Sequence, residues 1–548
     1  MRVRLHLVRR KATGFEPRAG RFACRATSHH PSSRTGVGPL RQTDPMTTST
    51  TSTRPTIVPT GEATAILPSR NPKESPIRVF GTAAIRDGFD DVCLEQALNA
   101  RSAPGVTDLV LNPDAHLGYG APVGCVLASP THVYPGPVGV DIKCSMSLLQ
   151  TDVPEEAIAD SRIRRALIDA IEARTPTGAG RGQRDAPKAR PFDEETARHA
   201  VVAGASKSVL ERLGVPAHWA ERCEDAQHTG HLGSHGDLAQ RLDLLARTGR
   251  FPKLGEKLRQ LGSYGGGNHF GEAEIVRVGP GEQETADTFG LRDGHVAFLT
   301  HCGSRGFGFH LANLQFKRLQ DHFAHWSIPL PAGDPQLVYA PLGSPEAEDY
   351  LDDMALGANF ATVNHMLINA LVLEAFQEVL PGTTGELVYF VSHNIAREEI
   401  VRGQKSWVHR KGATRAYPAG HFSLAGTPFA DTGHPILLPG NPQAGSAVMV
   451  GLPGAEASLY SVNHGAGRAL GRRAAMRALD QAEVDRSFAE RDILTNCRQY
   501  PLDEAPAAYK DFDEVVRSVE TAGLARTVAR LDARFVIKDS DKSLRGAA

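Results

Sequence analysis

The chain has 548 residues, 41% of them hydrophobic and 22% charged, with a formal net charge of −1. This near-neutral balance excludes a protein that holds nucleic acid by bulk positive charge and leaves only a local basic groove for such a contact. The seven cysteines, Cys24, Cys93, Cys125, Cys144, Cys223, Cys302 and Cys497, are odd in number and contain no CxxC pair, which excludes a disulfide framework and fits a reducing, cytoplasmic setting. No uninterrupted apolar run of about 18 residues occurs, so no membrane span is expected.

In chain order, residues 1–60 come first. Arg2, Arg4, Arg9, Arg10, Arg18, Arg21, Arg25 and Arg34 stand among Ser, Thr, Gly and Pro with almost no acids. Such a composition cannot build a core. It reads as a disordered basic leader, or as sequence upstream of a true start at Met46. A basic RNA-binding arm and an organellar transit peptide are the other readings. From Ile77 the pattern becomes regular, and residues 77–540 read as one large domain without an interdomain linker.

Ile77 to Gly81 reads as a strand, Asp90 to Ala100 as a helix, and Thr107 to Leu111 as a buried strand running into Asn112-Pro-Asp-Ala-His-Leu-Gly-Tyr-Gly120. Val138 to Thr151 reads as a strand carrying Asp141 and Cys144. Helices are expected over Pro154 to Arg174 and Thr196 to Leu213, with a Gly/Arg-rich loop, Thr177 to Arg184, between them. Asp225 to Asp237 reads as a loop opening a helix to Arg250. His295 to Thr300 reads as a strand and Phe307 to Trp326 as a helix. Pro345 to Val379 carries the longest helical pattern, Leu387 to Val391 is a strand ending near His393, and His464 to Arg472 opens a helix. Strands and helices mix without regular βα alternation, so the fold class is α+β.

The residues able to hold metal are spread over the chain, each beside glycine or small polar residues: Asp141 and Cys144, then His269, His301 and His393. An odd step of three on a strand puts Asp141 and Cys144 on opposite faces, so they converge only if the strand bends or ends between them. Taken alone, the pair reads as a surface Asp and a buried structural Cys; for His269 a core histidine is the competing reading to a ligand-presenting turn. Histidines at the ends of two separate strands argue instead for one convergent site. Thiolate with imidazole suits zinc, carboxylate with imidazole suits manganese, and the residues leave that choice open.

Gly262 to Glu272 is too glycine-rich for a helix interior and offers Asn268, His269 and Glu272 to a ligand. His301-Cys-Gly-Ser-Arg305 makes a phosphate nest at a helix start. His409-Arg410-Lys411-Gly-Ala-Thr-Arg415 is a compact basic cluster, fit for a triphosphate or an RNA backbone or else a solvated loop. In His464-Gly465-Ala466-Gly467-Arg468-Ala-Leu-Gly-Arg472 a neutral histidine can attack phosphorus, while Arg468 and Arg472, four apart on one helix face, stabilise oxyanion charge. The whole reads as a metalloenzyme acting on phosphates.

These segments resemble the RtcB family of GTP-dependent RNA ligases. Asp114-Ala-His-Leu-Gly-Tyr-Gly, Gly139-Val-Asp-Ile-Lys-Cys144, Gly267-Asn-His-Phe, Gly303-Ser-Arg-Gly, Ser392-His-Asn, His409-Arg-Lys-Gly-Ala-Thr and His464-Gly-Ala-Gly-Arg follow the family's order over roughly residues 77 to 540. The resemblance implies that Asp141, Cys144, His269, His301 and His393 bind two Mn²⁺ ions, with Cys144 bridging. It implies that His464 attacks the α-phosphorus of GTP to give a histidine–GMP phosphoramidate. Asn268, Glu272, Asn441, Ser446, Gly465, Ala466, Gly467, Arg468 and Lys538 fall at guanylate-contacting positions. Arg305, Arg410, Lys411 and Arg472 are the candidate RNA or phosphate contacts. The implied substrates are RNA ends with a 3′-phosphate or 2′,3′-cyclic phosphate and ends with a 5′-hydroxyl, and the implied partner is an archease-type activator.

Departures from the family pattern stand at Asn441-Pro442-Gln443, in a loop that usually carries a nucleotide-contacting serine. Asn364-His365 stands where Asn-Arg is usual, and Gly471 where a serine is usual. They mark a divergent member and bear on guanine recognition and RNA positioning. The competing activities are a metal-dependent phosphoesterase acting on cyclic phosphate ends and a non-ligating RNA-binding paralogue.

Overall fold

In the computed structural model the apolar strands assemble into two large sheets. The structure describes residues 55–539, which lie in one compact unit; residues 1–54, with most of the expected leader, lie outside the described residues. The first sheet has the order Val58–Pro59, Thr64–Leu67, Ile77–Phe80, Asp108–His116, Val123–Ser129, Gln404–Lys411, Asn394–Val401. The second has the order Gly385–Ser392, Ser145–Pro154, His295–Cys302, Phe270–Val278, Ala525–Lys538, Gly445–Gly451, Pro435–Asn441, with Leu494–Thr495 attached to Ala525–Lys538. Among the described strands of the two sheets, only Ile77–Phe80 with Asp108–His116 and Leu494–Thr495 with Ala525–Lys538 pair in parallel. An antiparallel scaffold with helices packed around it is the α+β class expected from the sequence. Regular structure begins ahead of Ile77, because Ala65 and Leu67 alternate with half-exposed neighbours and bury against the first sheet's core.

The helix Pro345–Val379 forms where its limits were expected, for local reasons: Ser344 accepts a hydrogen bond from Ala347 N–H, Pro345 opens the first turn, and Glu346 and Glu348 face the positive end of the dipole. Its length and composition would suffice to cross a membrane, but 94% of its apolar stretch is buried inside the protein. It is the central core helix, packed on the helices Arg305–His325, Ser161–Glu172 and Glu194–Ala203. Each fully buried Leu, Ile or Phe on it contributes about 1.5–3 kcal/mol.

Four expectations change. Asp141 and Cys144 lie on a turn before the strand Ser145–Pro154: Cys144 N–H bonds Asp141 O at 3.1 Å and Lys143 takes a φ of 53°. The helix expected over 154–174 is a 3-10 turn, Glu155–Ile158, then Ser161–Glu172, restarted by the Asp160 cap. The helix expected over 196–213 breaks at Gly204, with φ 57° and a Cβ position 2.6 Å from Asn359 Oδ1, so only glycine fits. Residues 464–471 form a loop, and the helix begins at Arg472.

Candidate active site

Sheet register collects the expected ligands. In the second sheet Ser392 pairs with Ser145, Ser145 with Cys302, and Phe270 with His301. Cys144 therefore precedes one strand, His393 follows another, His269 precedes a third and His301 is the next-to-last residue of a fourth. Because neighbours are antiparallel, all four ligands gather at one end of the sheet. Asn394 fastens this end to the first sheet: its carbonyl accepts from Lys143 N–H at 2.7 Å, its side-chain amide donates to Asp141 O at 3.2 Å, and its Oδ1 accepts from Gly412 N–H at 2.9 Å.

Cys144 Sγ is 3.2 Å from His301 Nε2 and 3.5 Å from His269 Nε2, and His269 Nε2 is 2.8 Å from Asp141 Oδ2. The rings of His301 and His393 are 5.2 Å apart. Two sets of three, Cys144/His301/His393 and Asp141/Cys144/His269, each place their ligand atoms within 4.8 Å of one another, and Cys144 belongs to both. Asp141 sits at the start of the helix Arg305–His325, where Ser304 N–H donates to its Oδ1 at 3.2 Å. His269 Nδ1 lies 2.9 Å from Tyr264 O, which orients the ring so that Nε2 faces the cluster.

Electrostatics divide the set: against burial, the nearby cysteines and Asp141 hold His269 well above the ordinary imidazole range, and burial pushes the Cys144 thiol up. Burial and the neighbouring histidines hold His301 and His393 well below the ordinary imidazole range, so both are neutral and present lone pairs. His393 Nδ1 is buried without a hydrogen-bond partner. One nitrogen of the His393 ring lies within 4.8 Å of the Cys144 sulfur and a His301 nitrogen, a set of donors suited to a cation. The cluster can therefore hold metal.

His464 follows the short strand Ser461–Asn463 and adjoins the cluster, its ring centre 4.6 Å from that of His393 and its plane tilted by 42°. Its Nδ1 lies 2.7 Å from Asp114 Oδ2 and 2.9 Å from Gly412 O. Both partners are acceptors, so in the neutral ring Nδ1 carries the proton and Nε2 keeps its lone pair, the tautomer a nucleophile needs. Asp114 is fully buried. The loop after His464 presses close to it: Gly467 has a φ of 73°, and a Cβ there would fall 2.4 Å from Asp114 O.

The remaining candidates divide by environment. Glu272, on the strand Phe270–Val278, is buried with one carboxyl oxygen unpartnered; burial pushes it up to about 8, with Lys538 acting the other way. Lys538 is 3.1 Å from Glu504. Arg468 reaches Glu504 at 3.3 Å, Arg472 pairs with Glu504 and with Asp503, and Tyr509 donates to Glu504 at 2.6 Å. Burial works to raise Glu504, and Lys538 and Arg472 hold it below its ordinary range. Arg468 and Arg472 thus meet on one buried acid without sharing a helix face. Ser446 is buried on the neighbouring strand Gly445–Gly451, and Asn268 is exposed beside His269. Asn441 Oδ1 caps a hairpin turn, accepting from Gln443 N–H and Ala444 N–H, and Gln443 donates to Ser487, so the divergent loop is pinned to the helix Gln481–Glu490.

The expected open basic cluster is interior. Arg410 is fully buried and grips Glu399 with two bonds of 2.5 and 2.9 Å while donating to Ser461 and Leu459. Lys411 Nζ donates to the carbonyls of Tyr119, Ala121 and Gly136. Arg415 pairs with Glu224 and Asp225. Arg305 lies beneath the Gly265 loop, bonded to Ser263 and to the Gly178 carbonyl. Residues alternate between buried faces of a covered sheet here, so charge density along the chain does not become surface charge. His365, in the departure Asn364-His365, is also interior, bonded to Ser147 and the Cys302 carbonyl behind His301. Sequence reasoning did not assign Asp114, Asn394 or Glu504. The first two stand inside quoted motifs, where an acid beside Pro and an amide after His were the available signals.

Comparison with known proteins agrees with this geometry. A family model described as "tRNA-splicing ligase RtcB" matches residues 96–539. The chain is 34% identical to a tRNA-splicing ligase RtcB of Pyrobaculum aerophilum over 484 residues, covering 84% of this chain and 94% of that one. It is 36% identical to that of Archaeoglobus fulgidus over 455 residues, 80% and 89% of the two chains. It is 35% identical to the RNA-splicing ligase RtcB of Mycobacterium tuberculosis over 448 residues, 80% and 98% of the two chains. With Asp141, Cys144 and three histidines gathered at one sheet end and a match across most of its length, this chain belongs to the RtcB family.

Proposed function

We propose that the chain is an RNA ligase joining ends with a 3′-phosphate or 2′,3′-cyclic phosphate to ends with a 5′-hydroxyl, through a histidine–GMP intermediate, in RNA repair or splicing. The observation that carries this reading is His464 beside the ligand cluster, with its Nδ1 proton held by Asp114 and Gly412 and its ring 4.6 Å from His393. Its catalytic domain runs from the strand Val58–Pro59 to the strand Ala525–Lys538, the segment ahead of it is a leader, and the cytoplasm is its setting. An archease-type protein is the expected activator.

Asp141, Cys144, His269, His301 and His393 would hold two Mn²⁺ ions, with Zn²⁺ the other suitable ion. Such ions supply neutralisation of charge at the transferred phosphorus. His464 Nε2 attacks the α-phosphorus of GTP; the N–P bond forms, the α–β bond breaks and pyrophosphate leaves. Asp114 stabilises the imidazolium that develops. An oxygen of the RNA 3′-phosphate then displaces the histidine, and the 5′-hydroxyl displaces GMP to close the phosphodiester. A cyclic phosphate end is first opened by water. Glu272, Asn268, Ser446, Asn441 and Lys538 would seat the nucleotide, with Gly465 to Arg468 as backbone around its phosphate. RNA would be gripped mainly through its phosphates, with little base preference.

The test is incubation with α-labelled GTP and Mn²⁺ followed by denaturing electrophoresis. Acid-labile label that is absent from His464→Ala supports the reading. Opening of cyclic phosphate ends without any protein label would replace it with the phosphoesterase.

A further inference from the structure

Lys510 joins two parts of the nucleophile's surroundings. Its Nζ donates to Pro113 O and Ala115 O, each at 2.9 Å, the carbonyls on either side of Asp114. The same ammonium lies 4.6 Å from the centre of the Phe89 ring, which gives it an apolar floor. Its backbone N–H donates to Gly467 O at 3.0 Å, in the loop that follows His464. One residue therefore fastens the segment bearing Asp114 and the loop packed against it.

The need for such a fastening is visible in the ladder. Pairing between Asp108–His116 and Val123–Ser129 shifts register between Leu111 and His116. Within this shift residues 112–115 have no register partner on Val123–Ser129, and the Lys510 ammonium bonds the Pro113 and Ala115 carbonyls. The bulge turns Asp114 toward His464. Asp114 Oδ1 is buried without a partner, so the side chain takes its orientation from the backbone that carries it and from His464 itself. Burial pushes Lys510 down to about 8, with Asp114 working in the opposite direction, so the ammonium form persists at neutral pH.

We infer that Lys510 is a positioning residue for the nucleotidyl-transfer step, holding the 113–115 backbone so that Asp114 meets His464 Nδ1 and leaves Nε2 directed at phosphorus. The inference rests on the reading of His464 as the nucleophile. It assigns Lys510 no contact with nucleotide, metal or RNA.

The test is a double-mutant cycle on the single-turnover rate of labelling by α-labelled GTP, with K510M, D114N and the pair, alongside GTP affinity and bound metal. K510M is expected to slow labelling on the order of 10²-fold, the loss that a misplaced catalytic group produces. GTP affinity and metal content stay at wild-type values. In the D114N background K510M is expected to add little, because its effect runs through Asp114. Rate losses that multiply, or a loss explained by weaker GTP binding, overturn the inference and leave the proposed function standing. Wild-type protein that takes no label on His464 overturns both. If K510M fails to fold, the cycle is run with K510R, whose guanidinium keeps two donors; non-additivity with D114N supports the inference and additivity overturns it.

Discussion

The metal-facing end of the second sheet and the strand Gln404–Lys411 with its continuation to Arg415 look alike as text: each is dense in histidine or cationic residues beside glycine. In space they differ in what is left unsatisfied. Around Cys144 the groups face one another across short distances, and His393 Nδ1 has no partner. Along 409–415 Arg410 holds Glu399, Lys411 holds three carbonyls and Arg415 holds Glu224. A buried charged group with its partners supplied by the chain is scaffold; a thiol, a carboxylate and imidazoles that face one another across short distances are a place for a cation.

Four substitutions test that distinction, beginning with the largest effect. Cys144→Ala removes the one atom shared by both ligand sets, so metal measured by native mass spectrometry should fall and labelling by GTP should vanish; unchanged metal content would rule out a bridging sulfur. Asp114→Asn keeps the shape but presents an amide to His464 Nδ1, and labelling should slow by roughly 10²–10⁴-fold with metal retained. An unaltered rate would show that the Nδ1 contact does not matter to the reaction.

Arg410→Met strands Glu399 in the interior and should cost about 3–5 kcal/mol of stability, read as a lower midpoint in denaturant. If the midpoint holds and RNA affinity drops instead, the cluster faces RNA after all. Asn441→Ala removes the acceptor of a turn and should cost about 1 kcal/mol. A shift in the preference between GTP and ATP larger than this stability change would instead make Asn441 a nucleotide contact.

Local order was largely readable. The helix Pro345–Val379 has its cap, its proline and its acids in sequence, and His393 was expected at a strand end, where it lies. The failures have physical causes. The apolar run Val138 to Thr151 points to a strand through Cys144, but the turn at Lys143 is set by the bonds that Asn394 makes from far along the chain. Helix His464 to Arg472 was expected from spacing, whereas Gly467 is fixed by its closeness to Asp114 and the helix waits until Arg472.

By itself the sequence determined the α+β class and the limits of the long helix, and it named the candidates Asp141, Cys144, His269, His301, His393 and His464, because periodicity, caps and reactive side chains are properties of short segments. Only the tertiary structure decided that antiparallel register brings Cys144, His269, His301 and His393 to one end. It also decided that Asp114 fixes the tautomer of His464, and that Arg410 and Lys411 are buried. Each of these depends on which distant backbone lies opposite, and no local pattern encodes that partner.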